Sequence, residues 1–284
     1  MPRILTFLLT LLAMIAFASN SLLCRLALKN TGIDAASFTS IRIVSGALVL
    51  WLIVRLRGGV RGVAGSWPSA LALFAYAACF SFAYISLPAA TGALLLFGAV
   101  QATMIGYGLW TGERLEVRQT AGLICASGGL VGLMLPNVSA PPLLASLLML
   151  GAGCAWGIYS LRGKGVADPT GATMGNFLRA VPIAIALSAM ALPWASLDRG
   201  GVCYAIASGA LTSGVGYAIW YTALRGLKAT SAAAVQLSVP VFAAIGGIVF
   251  LGESISLRLL IASAAILGGI ALVIVETSAK PAPH

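Results

Sequence analysis

Apolar residues along this chain fall in long unbroken blocks, not in the alternating pattern of a half-buried strand. Ten runs of seventeen or more residues can be marked, at about 4–24, 35–54, 67–86, 89–110, 117–135, 143–161, 172–194, 202–224, 229–251 and 257–275. Short polar breaks separate them: Asn30-Thr31-Gly32, Arg57-Gly58-Gly59, Thr111-Gly112-Glu113, Pro136-Asn137, Asp168-Pro169, Asp198-Arg199-Gly200 and Gly252-Glu253. About twenty apolar residues at about 1.5 Å rise cross the hydrocarbon core of a bilayer. Backbone groups in lipid have no water to bond, so each run must satisfy its own N–H and C=O groups as a helix. The pattern predicts an all-α integral membrane protein of ten transmembrane helices.

The blocks repeat. A shift of 137 residues lays Arg25 on Arg162, Ala35 on Ala172, Arg42 on Arg179, Phe80 on Tyr217 and Tyr84 on Tyr221. Three extra residues in the second half change the shift to 140, which lays Thr91 on Ser231, Gly112-Glu113 on Gly252-Glu253 and Gly128-Gly129 on Gly268-Gly269. Five helices thus repeat as five, with halves at 1–137 and 138–284. Five is odd, so the second copy enters the membrane from the other side. Inverted repeats of this kind place a substrate site near the bilayer midplane between the halves.

Composition strengthens the membrane reading. Of 284 residues 60% are apolar and only 8% charged, and the mean hydropathy is +1.01; a soluble domain carries about 25% charged residues. Ten spans leave no block for a nucleotide-hydrolysing domain. The net charge of +10 comes without the clustered basic and aromatic patch that nucleic acid requires. With the N-terminus inside, eleven basic residues fall on the cytoplasmic side and four opposite, which places both termini in the cytoplasm of a bacterial inner membrane. Met1-Pro2-Arg3 with Ala16-Phe17-Ala18 imitates a cleavable signal peptide, but this segment has its counterpart in the second half and is retained as helix one. The five cysteines sit in apolar runs with no CxxC, as small buried hydrophobes.

The paired Gly112-Glu113 and Gly252-Glu253, the arginines Arg42 and Arg179, Trp156-Gly157 and the Gly-Gly pairs of helices five and ten together resemble the drug/metabolite transporter superfamily, in its EamA-type ten-helix form. The resemblance covers about residues 4–275 and is greatest to the YddG-type aromatic amino-acid exporters. Ser19-Asn20 stands where the first half of that pattern has Trp-Gly. The resemblance implies a permease exporting small metabolites.

Candidate chemistry is sparse. His284 is the single histidine and terminal; no catalytic motif is present, and none of the seven acidic residues lies deep in a span. No enzyme, metal or cofactor is expected, and carboxylate-linked proton antiport is not expected either. Arg42 lies about 12 Å inside helix two; it and Arg179 are open to two readings, a cation for a substrate carboxylate or a helix-orienting side chain that caps carbonyls. Tyr76, Phe80 and Tyr84 share a face of helix three, matched by Tyr217, Trp220 and Tyr221 in helix eight. Such stripes serve packing or a cavity wall. Asn20, Gln101, Asn176 and Gln236 are amides placed at depth, and Trp156 and Tyr159 share a face of helix six. Glu113 and Glu253 are read as gate or cap residues bonding loop amides. Pro182 and Pro240 are read as kinks inside spans, and Gly128-xxx-Gly132, Gly153-xxx-Gly157 and Ala264-xxx-Gly268 as close-packing motifs.

The expectation is a permease for aromatic or neutral amino acids, or similar zwitterions, working by alternating access. Tyr76, Phe80, Tyr84, Trp156, Tyr217 and Trp220 would hold the side chain, and Asn20, Tyr159, Gln101 and Gln236 the charged end. A multidrug or lipophilic-cation exporter and a non-transporting scaffold are the alternatives. Partners are the lipid bilayer and the small-molecule substrate; oligomeric state is open, a monomer being sufficient.

Overall fold

The computed structural model describes residues 3–58, 64–112, 116–135, 140–163, 166–224, 227 and 235–274. Within them the chain forms ten helices: α1 (Arg3–Asn30), α2 (Ala35–Leu56), α3 (Trp67–Tyr84), α4 (Ala89–Trp110), α5 (Val117–Met134), α6 (Leu143–Gly163), α7 (Pro169–Met190), α8 (Arg199–Leu224), α9 (Val239–Leu251) and α10 (Leu257–Ile274). A short 3-10 turn, Leu192–Trp194, follows α7. Seven helices, α1–α4 and α6–α8, are long and apolar enough to cross a membrane; α5 begins with Arg118 in its first turn, and α9 and α10 are shorter apolar helices. Leu48, Leu52, Ile124, Ile185, Val249, Phe250 and Ile261 are exposed large hydrophobic residues on five of these helices. Such exposure suits lipid and not water.

The starts of the helices follow local chemistry. Asp34, Ser66, Asp168 and Asp198 accept hydrogen bonds from first-turn amides of α2, α3, α7 and α8, satisfying donors that the helix itself leaves open. At α5 the Glu116 N–H donates to the Gln119 side chain at 2.9 Å. Gly112 (φ 98°) and Gly252 (φ 63°) take the left-handed conformation just past α4 and α9, which a residue with a Cβ adopts at a cost.

Contacts between helices come in pairs related by five. α3 packs on α6 as α8 packs on α1; α4 packs on α6 as α9 packs on α1; α2 packs on α8 as α7 packs on α3. The pairs α2–α7, α4–α9 and α5–α10 map onto themselves. The scheme of contacts is thus unchanged when each helix is exchanged for the one five along. The faces of the bundle are named here by their arginines. The Arg25 face carries the α1–α2, α3–α4, α7–α8 and α9–α10 connections, and the Arg162 face the end of α6 and the starts of α3 and α7.

Some expectations shift by a few residues. Pro240 occupies the first turn of α9, where its missing N–H costs nothing, so it does not kink a span; Pro182 does lie inside α7. The motif glycines are also partly reassigned. A Cβ on Gly128, Gly132 or Gly268 would meet nothing within 4 Å, whereas one on Gly122 would lie 2.5 Å from Gly269 O, and one on Gly129 2.8 Å from Ala265 Cβ. The α5–α10 seam therefore runs along Gly122, Gly129 and Gly269. Gly153 and Gly157 do lie against α4, at Leu96 O and Thr103.

Candidate substrate site

At the centre of the bundle, α1, α3, α4, α6 and α8 enclose a cavity of about 20 Å³ lined by Phe17, Asn20, Ser21, Tyr76, Phe80, Leu96, Phe97, Trp156, Thr212 and Tyr217. That is space for about one water. The walls are rings set against one another: Trp156 lies 4.9 Å from Tyr76, 5.1 Å from Tyr217 and 5.4 Å from Tyr159, while Phe17 meets Tyr217 and Trp220 edge-on at 5.8 and 5.9 Å. Tilted and edge-on aromatic contacts of this kind are each worth about 0.5 to 1.5 kcal/mol beyond area burial.

Asn20 is the polar centre. Its Nδ2 donates to Tyr76 Oη at 3.1 Å, and its Oδ1 accepts from Ser208 at 2.7 Å and Thr212 at 3.2 Å. Ser208, Thr212 and the neighbouring Ser213 lie on a π-helical stretch of α8, Ser208–Val215. The wider π turn sets three hydroxyls toward α1 and α2, and such turns recur at functional sites. Gly209 makes the approach possible: a Cβ there would lie 2.1 Å from Arg42 O and 2.0 Å from Ser45 Oγ.

The two paired arginines do different things. Arg42 is 2% exposed. Its Nη2 donates to Tyr76 Oη at 3.0 Å, its Nε reaches Ser213 Oγ at 3.5 Å, and its guanidinium carbon lies 5.1 Å from the Tyr76 ring centre and 4.9 Å from that of Phe80. Its Nη1 has no partner. Arg179 is half-buried and turns back toward the Arg162 face, donating to Ala64 O at 2.9 Å and Gly175 O at 3.0 Å. It caps carbonyls; Arg42 stands behind the cavity wall.

Between the cavity and the Arg25 face the way is shut. Tyr84 packs edge-on against Phe80 at 4.7 Å and donates to Ala89 O. Beyond it Arg25 pairs with Glu253 at 3.3 Å and donates to Tyr84 O and Ile85 O, and Glu253 accepts from the Ala89 N–H at 2.8 Å. Toward the Arg162 face lies a second cavity of about 250 Å³, lined among others by Ser69, Tyr159, Arg162, Thr173, Asn176 and Tyr221. Tyr159 separates the two spaces. It stacks on Trp156 and holds Thr173 and Asn176 through its hydroxyl, at 3.3 and 3.4 Å.

Residues 143–275 match the EamA-like transporter family. Over this segment the chain is similar to that family. It is 54% identical to Uncharacterized protein PA1977 of Pseudomonas aeruginosa over 275 residues, covering 96% of each chain. A solved structure described as "Crystal structure of protein" has the same fold, with a TM-score of 0.65 at 18% identity, over 95% of this chain and 96% of the other. The family is one of membrane transporters, and with the apolar helices it makes the chain an integral membrane protein.

The residues marked in the sequence divide into groups. Asn20, Tyr76, Phe80, Trp156 and Tyr217 line the central cavity; Tyr159 and Trp220 pack behind them. Tyr84 belongs to the closed side. Gln101 is buried on α4, one turn beyond Phe97, with its Nε2 lacking a partner. Gln236 is half-buried and helical, in the short helical stretch Val235-Gln236 that a turn at Leu237 and Ser238 separates from α9. Glu253 is at the Arg25 face, and Glu113 lies outside the described residues.

Phe17, Phe97, Ser208, Thr212 and Ser213 were not singled out by sequence. Phe17 and Phe97 are ordinary residues of apolar runs. Ser208, Thr212 and Ser213 did carry a signal, three hydroxyls with Gly209 and Gly214 within seven residues of a span.

Proposed function

We propose that the protein is a permease that exports aromatic or neutral amino acids, or similar small zwitterions, across a bacterial inner membrane by alternating access. The observation that carries this reading is the Asn20–Tyr76–Arg42 hydrogen-bond chain set into an aromatic wall at mid-bundle, where α1 and α3 meet α6 and α8. Aromatic walls take an apolar or aromatic side chain; the hydroxyls, amides and guanidinium beside them take the charged end. In this reading residues 1–137 and 138–284 are inverted repeats whose junction falls at 136–139, outside the described residues. The Arg162 face and both termini are cytoplasmic, following the distribution of Lys and Arg. The conformation described is then closed outward at Arg25–Glu253, with the larger cavity as the cytoplasmic vestibule.

Tyr76, Phe80, Trp156 and Tyr217 form the wall, and Asn20 with Tyr159 and Gln101 orients the polar group. Among the described residues no carboxylate lines the central cavity, which supports a mechanism without carboxylate-linked proton antiport. Lipophilic cations are a poor match for a wall backed by a buried guanidinium. Efflux of a panel of labelled amino acids from proteoliposomes tests the reading. Saturable efflux of tryptophan or phenylalanine, unchanged by an imposed pH gradient and not competed by a lipophilic cation, is expected. Efflux driven by the pH gradient alone would overturn the coupling, and preference for the cation would overturn the substrate class.

A further inference from the structure

The charge of the central site is one-sided. Arg42 is buried among α2, α3 and α8, and no carboxylate of the described residues lies within ion-pair distance of it; the pair at Arg25–Glu253 is the ion pair found among them. A buried unpaired cation is costly, and the rings of Tyr76 and Phe80 offset only part of that. The guanidinium carries five N–H donors, yet Nη1, which holds two of them, has no partner.

Tyr76 points the same way. Its hydroxyl oxygen already accepts twice, from Asn20 Nδ2 at 3.1 Å and Arg42 Nη2 at 3.0 Å. Both lone pairs are thereby used, and its own proton has no acceptor among the described residues. Tyr76 lines the cavity, so a polarised O–H donor backed by a cation faces the space where a ligand would sit. Donors gathered in this way suit an anion, and a carboxylate oxygen accepts from Tyr76 Oη–H with charge assistance from the guanidinium behind it. For an ammonium group the described lining offers hydroxyls and ring faces but no carboxylate. Asn20 Oδ1, its amide acceptor, is already occupied by Ser208 and Thr212.

Resting on the permease reading above, we propose that Tyr76 and Arg42 form a carboxylate subsite, so that the protein takes aromatic or apolar carboxylates as a class and the α-ammonium group of an amino acid is dispensable. Tyr76 lines the cavity and donates to the ligand, and Arg42, behind the wall, acts by polarising Tyr76 through Nη2 and by supplying the positive charge. Arg179, spent on Ala64 O and Gly175 O, takes no part.

Three compounds sharing one ring system separate the possibilities: tryptophan, indole-3-propionate, which lacks the ammonium, and tryptamine, which lacks the carboxylate. Binding of each labelled compound to the purified full chain in detergent, by equilibrium dialysis, is expected for the first two and not the third. Tyr76→Phe keeps the ring and removes only the donor; it should weaken indole-3-propionate about tenfold, the usual scale for one charge-assisted hydrogen bond. Arg42→Gln should weaken it further. Binding of tryptamine as tight as that of indole-3-propionate, binding of none of the three, or a Tyr76→Phe protein of unchanged affinity and unchanged thermal stability would overturn the subsite. Flux in proteoliposomes keeps the two readings apart. Protein that binds the carboxylates but moves none of them contradicts the permease and leaves the subsite standing, whereas protein that moves tryptamine alone keeps the permease and overturns the subsite.

Discussion

Asn20 shows how much one side chain can hold in a solvent without water. It ties α1 to α3 through Tyr76 and to α8 through Ser208 and Thr212. Replacing it with leucine leaves the Ser208 hydroxyl and Tyr76 with fewer partners in an apolar interior. Interhelical hydrogen bonds in membranes are worth about 0.6 kcal/mol each and at most about 1.7, so Asn20→Leu should lower stability by about 1 to 2 kcal/mol, read from thermal unfolding in detergent. The arginines provide a sharper comparison. Arg179→Met removes two carbonyl caps near the Arg162 face and should cost stability while sparing the affinity for substrate; Arg42→Met should impair binding itself. Competition binding on folded variants checks both. The sequence placed Arg42 and Arg179 as equals, because a repeat aligns positions and says nothing of what faces them. Their difference comes from Tyr76, Phe80 and Ser213 around the one and the carbonyls of Ala64 and Gly175 around the other.

At the scale of elements, α8 departs most from its counterpart α3. The hydropathy blocks predicted both as plain spans, and their ends came out within a few residues. The π stretch Ser208–Val215 was not legible, since it depends on Gly209 fitting against Arg42 O and Ser45. Gly209→Val should force α2 and α8 apart and abolish transport while leaving the chain in the membrane, measured by flux and by protein recovered in the membrane fraction. The same limit explains the glycine motifs: spacing identifies small residues four apart, and only packing reveals that Gly122, Gly129 and Gly269 form the seam. A second element-level tie joins the α1–α2 and α7–α8 connections. Partial burial pushes the Asp34 carboxyl up, but hydrogen bonds from Ser37 and from the amides of Ser196 and Ala36 outweigh it and hold it below the usual carboxylate range. A carboxyl depressed in the folded state contributes stability that is complete above its unfolded value of about 3.9 and is lost as pH falls through the folded one. Acid should therefore release the Ser196 amide to hydrogen exchange, and Asp34→Asn should remove that pH dependence.

For the molecule as a whole, ten helices and a two-fold scheme of contacts follow from block lengths and from the paired arginines and Gly-Glu steps. The helix-nine block was least well read. Its apolar run is continuous from 229 to 251, yet a turn at Leu237 and Ser238 interrupts the helix, so Gln236 lies before the turn and α9 begins at Val239 with Pro240 in its first turn. The depth of the aromatic residues was legible from Tyr76, Phe80 and Tyr217; the division into a sealed centre, a vestibule at the Arg162 face and a closed Arg25 face was not, because it belongs to one conformation of the pathway. Arg25–Glu253 is the lock of that closed face in the proposed cycle. Glu253→Gln should therefore raise reaction of a membrane-impermeant maleimide with a cysteine placed at Tyr84. The central claim is that substrate passes through the Trp156 cavity, and counterflow of labelled tryptophan in proteoliposomes tests it. The account predicts saturable counterflow for the native protein and for Trp110→Leu, whose ring is 84% exposed at the end of α4, and its loss in Trp156→Leu. Equal counterflow in Trp156→Leu, or none in the folded native protein, would contradict it.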